Sequence, residues 1–242
     1  MTPHTRYLYG GENPMPGAKR YFAAPIRWDS ALWTTSDDRV RGGSSQSYLT
    51  VSDADKTHAS FNGHLDTSTL GGAGFASQHS RGELALDLSS YDGILVGVAG
   101  PHKADGKRYV LTLKDELLPP RKDGRETSSI SWEAEFVAEK PGDIKLPWKA
   151  FKATYRGREK PDAKPLDLAN IKRLGLMMRS FFDEQKGDFA LYLSAIAAYK
   201  DVSSQGTCAD ADAQDDYVDL KAHQYIKQDK KPWWKSILCG FV

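Results

Sequence analysis

The run LDLSSYDGILVGVAGPHKADGKRYVLTLK, residues 86–114, decides the fold. GILVGVAG is the most apolar run of the chain and reads as a central strand. In RYVLTLK, Tyr109, Leu111 and Leu113 fall on one face, and that period of two marks a half-buried strand. Asp105–Gly106 lies between the two runs and reads as a tight hairpin turn joining them. Working outward, QSYLTV, HASFNG, AGFASQ, ELALDL, ISWEAEFV, DIKLPW, RLGLMMRSF and DFALYLSAIAAY are short runs bounded by Gly, Pro, Asp or Ser. Trp132, Ala134 and Phe136 share a face, as do Phe189, Leu191 and Leu193. About ten closely spaced strands with no convincing long helix predict an all-β fold, an antiparallel β-sandwich or jelly roll. Pro147 through Phe151 reads as one helical turn that packs Trp148 and Phe151.

The flanks differ in composition. Residues 1–27 include GGENPMPG, dense in turn formers, and read as an irregular segment. They hold no apolar core of a secretory signal, and no intact mitochondrial presequence is evident despite Arg6, Lys19, Arg20 and Arg27. Residues 28–200 form the jelly-roll domain. Residues 201–242 are a linker and tail: SSQGTCADADAQDD is acidic and small, YVDLKAHQYIKQDKK fits one helix, and Pro232 ends it. The net charge of +1 gives no global pull towards nucleic acid. Cys208 and Cys239 both lie late, so no disulfide framework holds the body. No apolar run reaches the ~20 residues that span a bilayer.

Catalytic patterns are absent from the sequence. His4, His58, His64, His79, His102 and His223 make no i, i+4 zinc pair, and there is no Cys-x-x-Cys. No G-x-S-x-G elbow occurs, and Cys208 sits in the acidic linker. LGGAGFAS, residues 70–77, contains Gly72-x-Gly74 but lacks the strand before and helix after that a dinucleotide loop needs, and reads as a glycine-bearing strand. Asp37–Asp38 supply too few oxygens for calcium, and Asp115–Glu116 read as solvated. No catalytic residue, cofactor or metal is expected.

The candidate site is SDDRVRGGSSQSYL, residues 36–49. Asp37, Asp38, Arg39, Arg41, Gly42 and Gly43 make a charged, glycine-bearing loop at a strand entry, and loops on rigid scaffolds carry function disproportionately. They are expected to bind a protein partner. The alternative is a structural turn stitched by Asp–backbone and Arg–carboxylate bonds. A second candidate is the tail, where Trp233, Trp234, Ile237, Leu238 and Phe241 lie among lysines. Such a segment either docks on the domain or makes peripheral contact with a membrane surface.

An ordered set of motifs adds to this. SDDRVRGGSSQSYL is followed by FNGHL at 61–65, GGAGFAS at 71–77, LDLSSYDGILVGV at 86–98 and DGKRYVLTLKDE. Then come the Trp132 strand, IKLPWKAF at 144–151, Arg156–Gly157, IKRLGLMM and GDFALYLSAI. Over residues 28–199 this set resembles the complex I intermediate-associated protein 30 family. The resemblance implies a galactose-binding-like jelly roll. It also implies a non-catalytic assembly factor or chaperone, with assembly intermediates of respiratory complex I as protein partners, in the mitochondrion; cytoplasmic is the alternative. The tail maps onto nothing in the family. Jelly rolls also serve as carbohydrate-binding modules, for which Trp28, Trp33 or Tyr155 would be the stacking platform.

Overall fold

The structure, a computed structural model, describes residues 5–11, 27–51, 56–100 and 104–201. Strand β1 is Thr5–Gly10, β2 Trp33–Thr35, β3 Gln46–Val51, β4 Ala59–Leu65, β5 Phe75–Ser80, β6 Gly93–Val98 and β7 Arg108–Lys114. Strand β8 is Ser131–Val137, β9 Gly142–Pro147, β10 Lys152–Tyr155, β11 Arg158–Glu159, β12 Arg173–Arg179 and β13 Gly187–Tyr199. The first sheet runs β3-β4-β13-β6-β9, and β1 also pairs with β13. The second runs β11-β10-β8-β7-β12-β5-β2. The two antiparallel sheets make a β-sandwich of jelly-roll type.

The alternation in the sequence builds the core. Tyr109, Leu111 and Leu113 of β7 are fully buried, as are Leu174 and Leu176 of β12 and Leu193 of β13. Rings from both sheets meet: Tyr109 of β7 lies 6.1 Å from Phe61 of β4 and 6.3 Å from Phe189 of β13, both edge-on. Each such side chain contributes roughly 1.5–3 kcal/mol when fully buried. Leu65 and Ile94 extend the same layer. Trp148–Ala150 form the expected single turn, with Trp148 and Phe151 ring centroids 5.7 Å apart.

Four expectations change. GILVGVAG and RYVLTLK do not form a hairpin: β6 pairs with β13 and β9, whereas β7 pairs with β8 and β12. The Asp105–Gly106 turn carries the chain from one sheet to the other, with Asp105 fixing Tyr109 Oη at 2.5 Å and accepting Ala190 N–H at 3.0 Å. Residues 5–10, expected to be irregular, form β1. The reason is β13, thirteen residues long. β4 covers one side of it only over Gly187–Leu193, and β1 takes up the rest of that side at Ala195–Tyr199. ELALDL makes only an isolated bridge, Leu86 with Ile171. Gly72 and Gly74 precede the strand rather than lying within it, since β5 begins at Phe75.

Candidate functional site

The loop 36–45 is a short 3-10 turn, Asp38–Arg41, closed by Gly42 in the left-handed region at φ 84°. Its two acids point inward: Asp37 and Asp38 are 2 % and 1 % exposed. Asp38 accepts Ser45 N–H at 3.0 Å, Ser45 Oγ–H at 2.6 Å and Phe75 N–H at 3.1 Å. Asp37 accepts Ser47 N–H at 3.0 Å, Ser47 Oγ–H at 2.6 Å and Ser77 N–H at 2.8 Å. Ser47 lies on β3 of the first sheet; Phe75 and Ser77 lie on β5 of the second. The acid pair therefore staples the two sheets together at the sandwich rim. Buried carboxylates need such donors, because a charge without them is too costly to desolvate. Gly43 is required by the same packing: a Cβ there would sit 2.3 Å from Asp38 Oδ1.

The expected partner-binding loop thus divides by depth. Asp37 and Asp38 are buried and bonded within the fold, as the structural-turn alternative has it, while Gly43 is half-buried and packs against Asp38. Arg39 and Arg41 remain on the surface with Val40, which is 66 % exposed. Arg39 Nη2 pairs with Asp37 at 3.2 Å. Arg41 lies over the Phe75 ring, 5.5 Å from its centroid.

A second loop completes this surface. Between β12 and β13 the chain turns through Phe181, Phe182 and Asp183, at φ 48°, 60° and 68°. Three consecutive non-glycine residues in the left-handed region are strained, at roughly 1–2 kcal/mol each. Neighbours over-determine the turn. Gln185 uses its side-chain amide as a strand neighbour would: Oε1 accepts Arg108 N–H at 3.0 Å, and Nε2 donates to the carbonyls of Arg108 and Arg179, both at 2.7 Å. Thr67 Oγ–H donates to Asp183 at 2.7 Å and Lys186 pairs with it at 3.3 Å; together they hold its carboxyl below the usual range. Ser180 N–H donates to Gly74 O at 2.9 Å. Loops 36–45, 66–74 and 180–187 are thereby tied into one rim.

Across that rim runs an alternating row of cations and rings. Arg41 lies over Phe75, and Phe75 stands opposite Arg179 in the β5–β12 ladder. The Arg179 guanidinium is 4.8 Å from the Phe181 centroid, and that of Arg108 is 3.6 Å from it. Carboxylates hold Arg179 and Arg108. Glu133 and Glu135 each pair with Arg179 at 3.0 Å, and Glu184 pairs with Arg108. Phe182, next to the row, is 55 % exposed. Guanidinium–ring stacking leaves the N–H edges open to carboxylates while the faces stay dry.

The comparisons with known proteins bear on this arrangement. Residues 22–193 match the family described as complex I intermediate-associated protein 30. The chain belongs to that family. The match runs from before β2 to Leu193 of β13, leaving out β1 and the end of β13, and includes loops 36–45, 66–74 and 180–187. A protein of Schizosaccharomyces pombe, uncharacterized protein C9E9.15, is 39 % identical over 183 residues, 73 % of this chain and 82 % of that protein. Among solved structures, the family 11 carbohydrate-binding module of the cellulase Lic26A-Cel5E of Clostridium thermocellum has a TM-score of 0.47 at 14 % identity, covering 69 % of this chain and 88 % of that one. A solution structure of the same type of module, CtCBM11, has a TM-score of 0.48 at 12 % identity, covering 82 % and 96 %.

The remaining expected residues fall elsewhere. Trp28 and Trp33 are 0 % and 3 % exposed and stack with Tyr9 in the core, so neither is a platform for a sugar. Tyr155 is half-exposed with Arg156 over its ring. His64 contacts Asp188, and His79 sits on the outer face of the second sheet, its pKa lowered by burial. Trp233, Trp234, Ile237, Leu238 and Phe241 lie outside the described residues. Phe181, Phe182, Arg108 and Arg179 were missed as site residues; the doubled Phe before an acid in RSFFDE was the available signal.

Proposed function

We propose that this chain is a non-catalytic assembly factor that binds protein partners, and that those partners are assembly intermediates of respiratory complex I in the mitochondrion. The family match over residues 22–193 carries the reading. The chemistry of the rim supports it. Asp37 and Asp38 are consumed in holding the two sheets together. What the rim offers to solvent is instead aromatic and guanidinium surface, the composition that anchors protein interfaces.

Organelle fractionation and affinity purification of the tagged full-length chain from its native organism test this. The expected result is recovery from the mitochondrial fraction with complex I subunits, and stalled complex I assembly on deletion of the gene. Recovery from the cytosol with complex I assembly intact overturns the complex I reading. Calorimetry against soluble β-glucans provides the opposing test: micromolar binding would replace protein recognition with sugar recognition.

A further inference from the structure

We propose that the chain grips its partner through Phe182, Val40 and Arg41, and that the partner's contact segment is an acidic one carrying an apolar side chain. This proposal rests on the protein-binding reading above and adds the place and the chemistry of the contact.

Strain is the first observation. Phe181, Phe182 and Asp183 adopt left-handed backbone that non-glycine residues avoid. Such conformations persist only where the surroundings impose them, and they cluster at binding sites. Here the surroundings are Gln185, Thr67 and the Arg108–Phe181–Arg179 stack. Phe181 is used by that stack. Phe182 is 55 % exposed, so the turn leaves a large apolar side chain more than half open to water. A rigid, projecting aromatic residue loses little entropy on binding and is typical of an anchor.

Charge supplies the second observation and selects the partner. In loop 36–45 the two acids are buried and the two arginines are exposed. Arg39 is spent on Asp37, while Arg108 and Arg179 are spent on Glu184, Glu133 and Glu135. Arg41 differs. Its guanidinium meets the Phe75 ring, and no carboxylate among the described residues pairs with it. A carboxylate arriving in the plane of that guanidinium gains charge-assisted hydrogen bonds without breaking an existing pair. Val40, 66 % exposed, stands beside Arg41 in the same turn. Apolar seats beside one unspent cation fit an acidic, apolar segment; a basic segment would meet Arg41 repulsively.

The test places the photoreactive residue p-benzoylphenylalanine at position 182 of the full-length chain in its native cells, and at position 155 as a control. Tyr155 is 38 % exposed and lies on β10, next to the edge strand β11 and at the opposite end of the second sheet from β5. The expected result is a crosslink from 182 to a complex I subunit or assembly factor. Mass spectrometry should map it to a peptide with Asp or Glu within a few residues of an apolar side chain. Phe182→Ser and Arg41→Glu should each reduce recovery of that partner about tenfold or more, as loss of a central anchor does. Arg41→Lys should retain part of it, and all variants should melt as the parent does. Crosslinks from 155 alone, recovery unchanged in both variants, or a basic contact peptide overturn the proposal and leave the protein-binding reading intact. A crosslink to a second copy, with a dimer in sedimentation, overturns the heterologous partner. If no protein crosslinks at either position and none co-purifies, the protein-binding reading falls and this proposal falls with it.

Discussion

Replacing Asp38 with Ala should cost the domain about 3 kcal/mol. The carboxylate accepts two backbone N–H groups, Ser45 at 3.0 Å and Phe75 at 3.1 Å, and the Ser45 hydroxyl at 2.6 Å. Alanine removes all three. The hydroxyl keeps an alternative acceptor, Asp66 O at 3.3 Å, so its loss is small. The two backbone donors have no such alternative in place, and each buried donor left unsatisfied costs ~1–3 kcal/mol. Water entering the vacated space would recover part of this, which sets the expectation at about 3 kcal/mol, in the lower half of the ~2–6 kcal/mol range. For a domain of this size that lowers the midpoint by about 6–12 °C, at ~2–4 °C per kcal/mol. Asp38→Asn should cost less, about 2 kcal/mol, because one oxygen survives while its amide N–H₂ confronts a donor. Urea unfolding gives the free energies, and hydrogen exchange at Ser45 and Phe75 localises them. A loss below ~0.5 kcal/mol for Asp38→Ala, the range of an ordinary surface change, would refute the inter-sheet staple.

Other changes follow the same contacts. Gly43→Ala puts a methyl group 2.3 Å from Asp38 Oδ1 and should lower stability by ~1–3 kcal/mol in urea melts, as overpacking does. Phe182→Gly should raise stability by about 1 kcal/mol, since glycine adopts φ 60° without strain; a lowered melting temperature would mean the ring is packed, not displayed. Burial and the Asp105 hydrogen bond push the Tyr109 phenol well above its ordinary value. The folded state keeps a proton that the unfolded chain releases near pH ~10, so this stability is present below that pH and falls as pH rises past it. Unfolding midpoints from neutral to alkaline pH measure the fall, and Tyr109→Phe should flatten it. Deleting residues 1–10 strips β1 from β13 at Ala195–Tyr199 and removes Tyr9 from the Trp28–Trp33 stack; circular dichroism should show a sandwich of lower melting temperature.

Strand identity was legible wherever one face is apolar. Tyr109, Leu111 and Leu113 announce β7, and Phe189, Leu191 and Leu193 announce β13, because alternation follows from the pleat itself. Sheet membership was not. Asp105–Gly106 states that the chain turns, yet the same dipeptide serves a hairpin or a passage to the opposite sheet. The choice depends on which neighbours β6 and β7 find, and those neighbours are distant in sequence. TRYLYG at 5–10 was hidden for a related reason. Its strand exists because β13 outruns β4, a mismatch visible only after pairing. The three residues of β2 are too few to show a period.

The candidate site was half legible, and the missing half follows from how charge is used. An Asp beside an Arg reads as surface in any sequence, since both side chains are usually wet. Ser45, Ser47, Phe75 and Ser77 reverse that for Asp37 and Asp38, and their donors come from two different sheets. No local pattern encodes such a meeting. The turn at 181–183 is concealed more deeply, because left-handed backbone is normally signalled by Gly or Asn and here it is carried by two phenylalanines. Its cost must be met by contacts elsewhere, from Gln185, Arg108 and Arg179. The buried acids and the strained turn then act on the same surface from opposite sides. Asp38 accepts from Phe75 N–H, which fixes the ring that Arg41 covers. The Arg108–Phe181–Arg179 stack fixes the turn that displays Phe182. Loosening either support should blur the spacing between Arg41 and Phe182, so Asp38→Asn, though it folds, should weaken partner capture more than its stability loss alone explains.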